Sequence, residues 1–184
     1  MAFYSLSPRR RSTGSDIIDA QFGNVVTHRD GDFRGYNASG GRPTKEPARF
    51  TVFEHTADSG IVAYGRDVKE LFANAAYGMF ATMADLGGVA EKHEVPIGVE
   101  ARDIEGLMVG WLTELLYYVD TQELLFRRFE IDELDDTHVV ARAFGEKIDR
   151  DRHDLHFGIK AVTRHMLEVG RKGDRYEATI LFDI

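Results

Sequence analysis

The chain has 184 residues, of which 43% are hydrophobic and 29% are charged, and its formal net charge is -8. These proportions are ordinary for a soluble globular protein, and the length fits one domain with some residues left over. The sequence contains no cysteine, which excludes a disulfide scaffold, a thiolate metal site and a cysteine nucleophile. Because no apolar run approaches the roughly 18 residues that a membrane helix needs, we expect a cytoplasmic protein with no membrane contact.

The N-terminal quarter differs from the rest in composition. Residues 1–47 show no sustained hydrophobic periodicity and end in NASGGRPTKEP, a composition typical of a linker. We therefore predict a largely disordered extension over residues 1–47 and a compact domain over residues 48–184. Within the extension, only DIIDAQFGNVV is apolar enough to fold or to dock.

Charge is also shared unevenly. The extension holds seven Lys and Arg and five acids, which leaves 16 of the 23 basic and 26 of the 31 acidic residues, a net charge of -10, to the domain. A domain this acidic repels a bare phosphate backbone. Any contact with RNA is therefore expected to be indirect.

Two amphipathic helices are predicted within the domain. Each follows an Asp that can cap its first turn, Asp67 for the first helix and Asp103 for the second. Apolar residues then recur at steps of three and four, as on one face of a helix: Val68, Leu71, Phe72, Ala75, Ala76, Met79, Phe80 and Met83, then Ile104, Leu107, Met108, Trp111, Leu112, Leu115 and Leu116. We assign both stripes to the core and give them no cofactor role.

Short segments rich in β-branched and aromatic residues fill the remainder and are predicted strands. They are RFTVFEH, GIVAYG, HEVPIGVEA, LFRRFEIDEL, THVVARAFGE, KAVTRHMLEV and RYEATILFDI. Turns are expected at Asp135–Thr137 and in GRKGD, closing two hairpins. In the last strand, alternate residues from Tyr176 to Phe182 share one face and Asp183 lies on the other. The pattern predicts an α+β fold in which a mainly antiparallel or mixed sheet packs with two amphipathic helices.

Carboxylates at the two ends of the domain are the first candidates for a functional site. Asp58 lies in EHTADSGIVAYG between small residues, and the sequence closes on FDI, with Asp183 followed by Ile184. Three carboxylate groups without a thiolate would suit a hard cation such as Ca²⁺, Mg²⁺ or Mn²⁺. From the residues alone, spacing favours Asp58 as a turn residue and Asp183 as a solvated chain end over a shared site, and both interpretations stay open.

Six segments taken together resemble a known family. EHTADSGIVAYG, LFANAAYGMF, WLTELLYYVD, FGEKID, IKAVTRH and the terminal FDI occur in the order seen in the archease family, over residues 50–184. One departure is visible, because Arg164 stands where the family usually has Tyr. The extension over residues 1–47 has no counterpart in the family core.

This resemblance implies a fold and a role. Archeases have an elaborated strand-helix-strand-strand module and are accessory proteins of RtcB-type RNA ligases, which act in tRNA splicing and RNA repair. They are implied to promote guanylylation of the ligase and its multiple turnover without being enzymes themselves, so that GTP enters only through the partner ligase. The family metal site maps onto Asp58, Asp183 and Ile184, the last through its terminal carboxylate.

Further candidate residues match family positions or lie beside the motifs. Lys160 is expected near the carboxylates, where it would balance their charge or approach a nucleotide phosphate; the alternative is an edge-strand lysine that reaches water. His55, His153 and His165 are either ligands or hydrogen-bonded core residues. Glu146 either adds a carboxylate or closes a hairpin. The HDLH segment has the spacing of a helical ligand pair, but its neighbours do not favour a helix, so we predict no zinc site there.

Hypotheses from other classes also remain at this point. A small Mg²⁺- or Mn²⁺-dependent metalloenzyme would use Lys160 as an electrophile and a histidine as a base. A structural adaptor would use the ion only to staple the chain end. The sequence makes no prediction of the metal's identity or of the oligomeric state.

Overall fold

The computed structural model describes residues 17–19, 24–26, 48–55, 58–156 and 158–184; side chains are described from residue 48 onward, except those of Glu54, His55 and Asp58. The elements, in chain order, are β1 (Ile17–Asp19), β2 (Asn24–Val26), β3 (Phe50–His55), β4 (Asp58–Gly65), α1 (Val68–Met83), a 3-10 turn (Leu86–Gly88), β5 (His93–Glu100), α2 (Ile104–Gln122), β6 (Leu124–Leu134), β7 (His138–Lys147), β8 (Ala161–Lys172) and β9 (Arg175–Asp183).

The strands form two sheets in which all neighbours are antiparallel. The larger sheet has the order β2-β1-β3-β4-β9-β8 and the smaller one the order β5-β7-β6. Together with the two helices they confirm the predicted α+β class. Strands β1 and β2 both fall within DIIDAQFGNVV, and β1 pairs with β3 through Ile17 opposite Phe53.

Both helices begin where their caps were predicted. The Asp67 carboxylate accepts the amide of Glu70 at 2.8 Å, and that of Asp103 accepts the amide of Gly106 at 2.6 Å. These bonds satisfy amides that the first helical turn would leave without a partner. The apolar stripes face the core as expected, with Trp111 fully buried. Its indole Nε1 donates to the carbonyl of Phe72 at 3.1 Å, which joins the two helices.

Strand β9 departs in one respect from its predicted two-faced pattern. Ala178, Ile180 and Phe182 are buried as expected, but Leu181 on the other face is only 1% exposed. The environment of Gly60 in β4 gives the reason, since a Cβ there would lie 2.5 Å from Phe53 Cζ and 2.9 Å from Leu181 Cδ2. The ring of Phe53 therefore covers Leu181 across Gly60, and the outer face of the sheet is partly closed.

The end of α1 is tied to the long loop between β7 and β8. The Asp85 amide donates to the carbonyl of Asp154 at 3.0 Å, and the His156 amide donates to that of Met83 at 2.8 Å. These bonds fix the loop that leads into Lys160 and β8. Among the described helices, none combines the length and the hydropathy that crossing a membrane would require.

Candidate functional site

One end of the larger sheet gathers the residues that the FDI and EHTAD motifs singled out. His55 pairs with Asp58, and Ala161 pairs with Asp183. Between them, β4 and β9 pair through Ser59 opposite Phe182, so Asp58 and Asp183 are the next positions along this ladder. Cross-strand neighbours share a face and have Cβ atoms about 4.5–5.5 Å apart. Segments more than 100 residues apart in sequence thus meet in one row of backbone positions. We call it the carboxylate row.

Lys160 lies beside this row, immediately before β8. Its amide donates to the carbonyl of Asp183 at 2.8 Å, and its Nζ donates to the main-chain oxygen of Ile184 at 3.0 Å. The side chains of Lys160, Asp183 and Ile184 are exposed, whereas Ile159 is buried and anchors the loop. The lysine was expected within an apolar strand. It instead precedes the strand, reaches water and holds the end of β9.

The chemistry of the row suits a hard cation. Asp183 and Ile184 present oxygen donors, the ligand type that Ca²⁺, Mg²⁺ and Mn²⁺ prefer. Among the side chains that the structure describes, which leave out those of His55 and Asp58, no three His, Asp or Glu residues converge as a metal-binding group. A site of three carboxylates at this end therefore depends on Asp58, and it stays a prediction.

Glu146 and His153 belong to a separate, buried cluster. The carboxylate of Glu146 is only 2% exposed and accepts the Ala90 amide, Lys92 Nζ and Arg152 Nη2, each at 2.7 Å. The Ala90 amide, followed by the two cations, holds the pKa of Glu146 well below its usual range. Glu146 is thus an ionised anchor that joins the end of β7 to the loops on either side. None of these partners of Glu146 belongs to the carboxylate row.

His153 completes this cluster with both ring nitrogens engaged. Nδ1 accepts the backbone amide of Asp149 at 3.0 Å, so the proton lies on Nε2, which faces Glu146 Oε1 at 3.2 Å. Both ring nitrogens are therefore occupied by contacts within the cluster, which leaves neither of them for a metal. The HDLH segment contains a bend and an isolated bridge from Leu155 to Ala84, and it forms no helix, as predicted.

His165 lies in an irregular part of β8 that follows the pairing of Ala161 with Asp183. Its side chain is exposed, and its amide donates to Thr163 Oγ1 at 2.8 Å. The neighbouring Arg164, which stands in the place of the family tyrosine, pairs with Asp103 at 2.7 Å. No residue typical of a bulge marks this irregularity, because residues 164–167 contain neither Gly nor Asn nor Pro.

The fold and the row together describe a small two-sheet α+β protein with oxygen donors gathered at one sheet end. Residues 50–184 match the model of the archease protein family (MTH1598/TM1083). Protein archease of Sulfurisphaera tokodaii is 39% identical over 138 residues, which cover 74% of this chain and 99% of that protein. Protein archease of Methanothermobacter thermautotrophicus is 38% identical over 138 residues, covering 73% of this chain and 98% of that protein.

A solved structure also resembles this chain. The solution structure of protein 1598 from Methanobacterium thermoautotrophicum has a TM-score of 0.58 and 38% sequence identity, and the match covers 74% of this chain and 99% of that one. The chain belongs to the archease family. Its first 49 residues lie outside the family match.

Proposed function

We propose that this protein is a non-catalytic activator of an RtcB-type RNA ligase and that the carboxylate row is the part that acts on the ligase. The observation that supports the proposal is the backbone register, in which Asp58 and Asp183 are the next positions beyond the Ser59–Phe182 pair. Beside them, Lys160 Nζ donates to the main-chain oxygen of Ile184. These are the positions at which the sequence resembles the family's functional site.

A divalent cation would be held by Asp58, Asp183 and the terminal carboxylate of Ile184. When bound, it would supply a positive charge able to attract phosphate oxygens or to order the chain end. Lys160 supports this arrangement by donating to Ile184, which holds the end of β9 in place. Its remaining ammonium hydrogens are exposed to water and available to an anionic group of the partner.

The charge of the domain favours a protein partner over RNA. Its acidic surface complements a basic nucleic-acid channel, which would steer it toward such a ligase. To raise the ratio of competent to non-competent ligase tenfold, the protein must bind the competent conformation about 1.4 kcal/mol more tightly than the other one. GTP and RNA are then contacted by the ligase alone.

The test is multiple-turnover RNA ligation by the RtcB-type ligase of the same source, with GTP and Mn²⁺, with and without this protein. We expect the wild type to extend ligation beyond one event per ligase. Asp58→Ala and Lys160→Ala should not, whereas Lys172→Ala, a control for an exposed lysine at the opposite end of the sheet, should retain full activity. An unchanged ligase would refute the proposal, and metal-dependent turnover by the isolated chain would favour the metalloenzyme hypothesis.

A further inference from the structure

Edge strand β8 contains a bulge with three extra residues relative to β9, next to the carboxylate row. Thr163 pairs with Leu181, but the next pair is Glu168 with Thr179, so residues 164–167 oppose a single residue of β9. Bulges of this kind interrupt pairing and redirect side chains. Because Ala161 pairs with Asp183, the bulge starts only about 7 Å along the strand from the row, at 3.3 Å per residue.

Three contacts hold the bulge in one conformation. Thr163 Oγ1 accepts the His165 amide at 2.8 Å, and Arg164 donates to Asp103, the cap of α2, at 2.7 Å. Leu167 is partly buried and packs against the core on the far side. The segment is therefore a protrusion that contacts the rest of the domain at three points.

Met166 lies at the tip of this protrusion and is unfavourable there in two ways. Its φ is 56°, in the left-handed region that a side chain with a Cβ avoids, and its large apolar side chain is 52% exposed. Backbone preference favours Gly or Asn at this position, and exposure favours a polar residue. Neither local conformation nor core packing therefore explains a methionine, and strain of this kind is typical of binding sites.

We infer that the bulge is a docking knob, in which Met166 inserts into an apolar pocket of the ligase that the carboxylate row approaches. This inference rests on the proposed function. Methionine suits the role because its unbranched thioether adapts to the shape of a pocket. Ile184 at the end of the row is a second large apolar side chain that is partly exposed, at 39%. Arg164 then acts within the chain, by positioning the knob against α2.

The test is equilibrium binding of the full-length chain to the purified ligase, measured beside the melting temperature of each variant. Met166→Gly should weaken binding at least about tenfold, as loss of an interface anchor does. Its melting temperature should not fall, because Gly adopts this φ without strain. Met166→Asn, a second residue that tolerates this conformation, should behave alike, and Met166→Leu should stay within about threefold of the wild type. Tyr117→Ala is the control for an exposed apolar residue on another element.

The outcomes separate this inference from the proposed function. If the wild type binds the ligase and both Met166→Gly and Met166→Asn bind as tightly, the docking role of Met166 is refuted and the proposed ligase activation stands. If the wild type itself does not bind the ligase, both are overturned. Weaker binding by Met166→Gly and Met166→Asn at an undiminished melting temperature supports the knob.

Discussion

Replacing Glu146 by Gln tests whether the buried cluster holds the loops of this domain together. The substitution preserves the shape of the side chain and removes its charge. Oε1 can still accept from Ala90, but the new amide group would point a donor at Lys92, where Oε2 now accepts at 2.7 Å. The variant therefore isolates the contribution of the charge.

The size of the stability loss expected for Glu146→Gln depends on how exposed the charged partners of Glu146 are. Removing one member of a buried ion pair costs about 3–5 kcal/mol, and a hydrogen bond to a charged group contributes about 1.5–3 kcal/mol. Lys92 and Arg152 are 66% and 43% exposed, so water compensates part of their loss. We expect a destabilisation of about 2–3 kcal/mol, which lowers the melting temperature by roughly 5–10 °C.

The pH dependence gives an independent measure. The pKa of Glu146 is depressed in the folded protein, so this carboxylate binds a proton more readily in the unfolded chain. Its stabilisation is fully present above its unfolded pKa of about 4.3 and is lost as pH falls toward the folded value. Below about pH 5, the wild type should therefore lose stability more steeply than Glu146→Gln. The difference between their free energies of unfolding should narrow as the pH falls.

Chemical denaturation of both proteins between neutral pH and about pH 3 measures these quantities. Glu168→Gln is the matched control, because Glu168 is 72% exposed and its loss should change stability by less than about 0.5 kcal/mol. Equal stability of Glu146→Gln and the wild type, with parallel pH profiles, would show that the cluster does not anchor the loops.

Three further predictions concern the helix end, the chain end and the extension. Glu123→Gly should raise stability by about 1 kcal/mol in denaturant titrations, since Glu123 ends α2 at a φ of 50°; a lower stability would contradict this account of the cap. A C-terminal affinity tag, compared with an N-terminal one, should weaken both calorimetric metal affinity and ligase activation if Ile184 contributes its carboxylate. Equal performance would refute that role, and a lower melting temperature with full activation would favour the structural adaptor. Deleting residues 1–46 should leave a cooperatively folded domain by thermal scanning, whereas a large drop in melting temperature would show that the pairing of β1 with β3 stabilises it.

Local patterns were enough to predict the two helices and the strands from β3 to β9, but not β1 and β2. The helices beginning behind Asp67 and Asp103 follow from a cap and a three-to-four-residue apolar repeat, which are properties of neighbouring residues. The turn at Asp135–Thr137 follows in the same way, since the Asp135 carboxylate accepts the Thr137 amide at 2.8 Å. Such signals do not depend on the rest of the fold.

Features that depend on distant residues were not predictable in this way. The whole β4–β9 register places Asp58 and Asp183 one position beyond the Ser59–Phe182 pair, and only the family resemblance suggested that the two meet. The Glu146 cluster joins Ala90 to a residue 56 positions later, so no local motif marks it. The bulge at Met166 is held by Asp103 from α2, and that contact exists only after the sheet and the helix pack.

The most direct test of the central claim is the guanylylation of the ligase itself. Ligase incubated with labelled GTP and Mn²⁺ would be assayed for covalently bound GMP, with wild-type protein, with Asp183→Asn or with no addition. The account predicts faster or more complete labelling with the wild type and no such gain with Asp183→Asn, whose side chain keeps its shape but loses its charge. Equal labelling with and without the wild-type protein would contradict it.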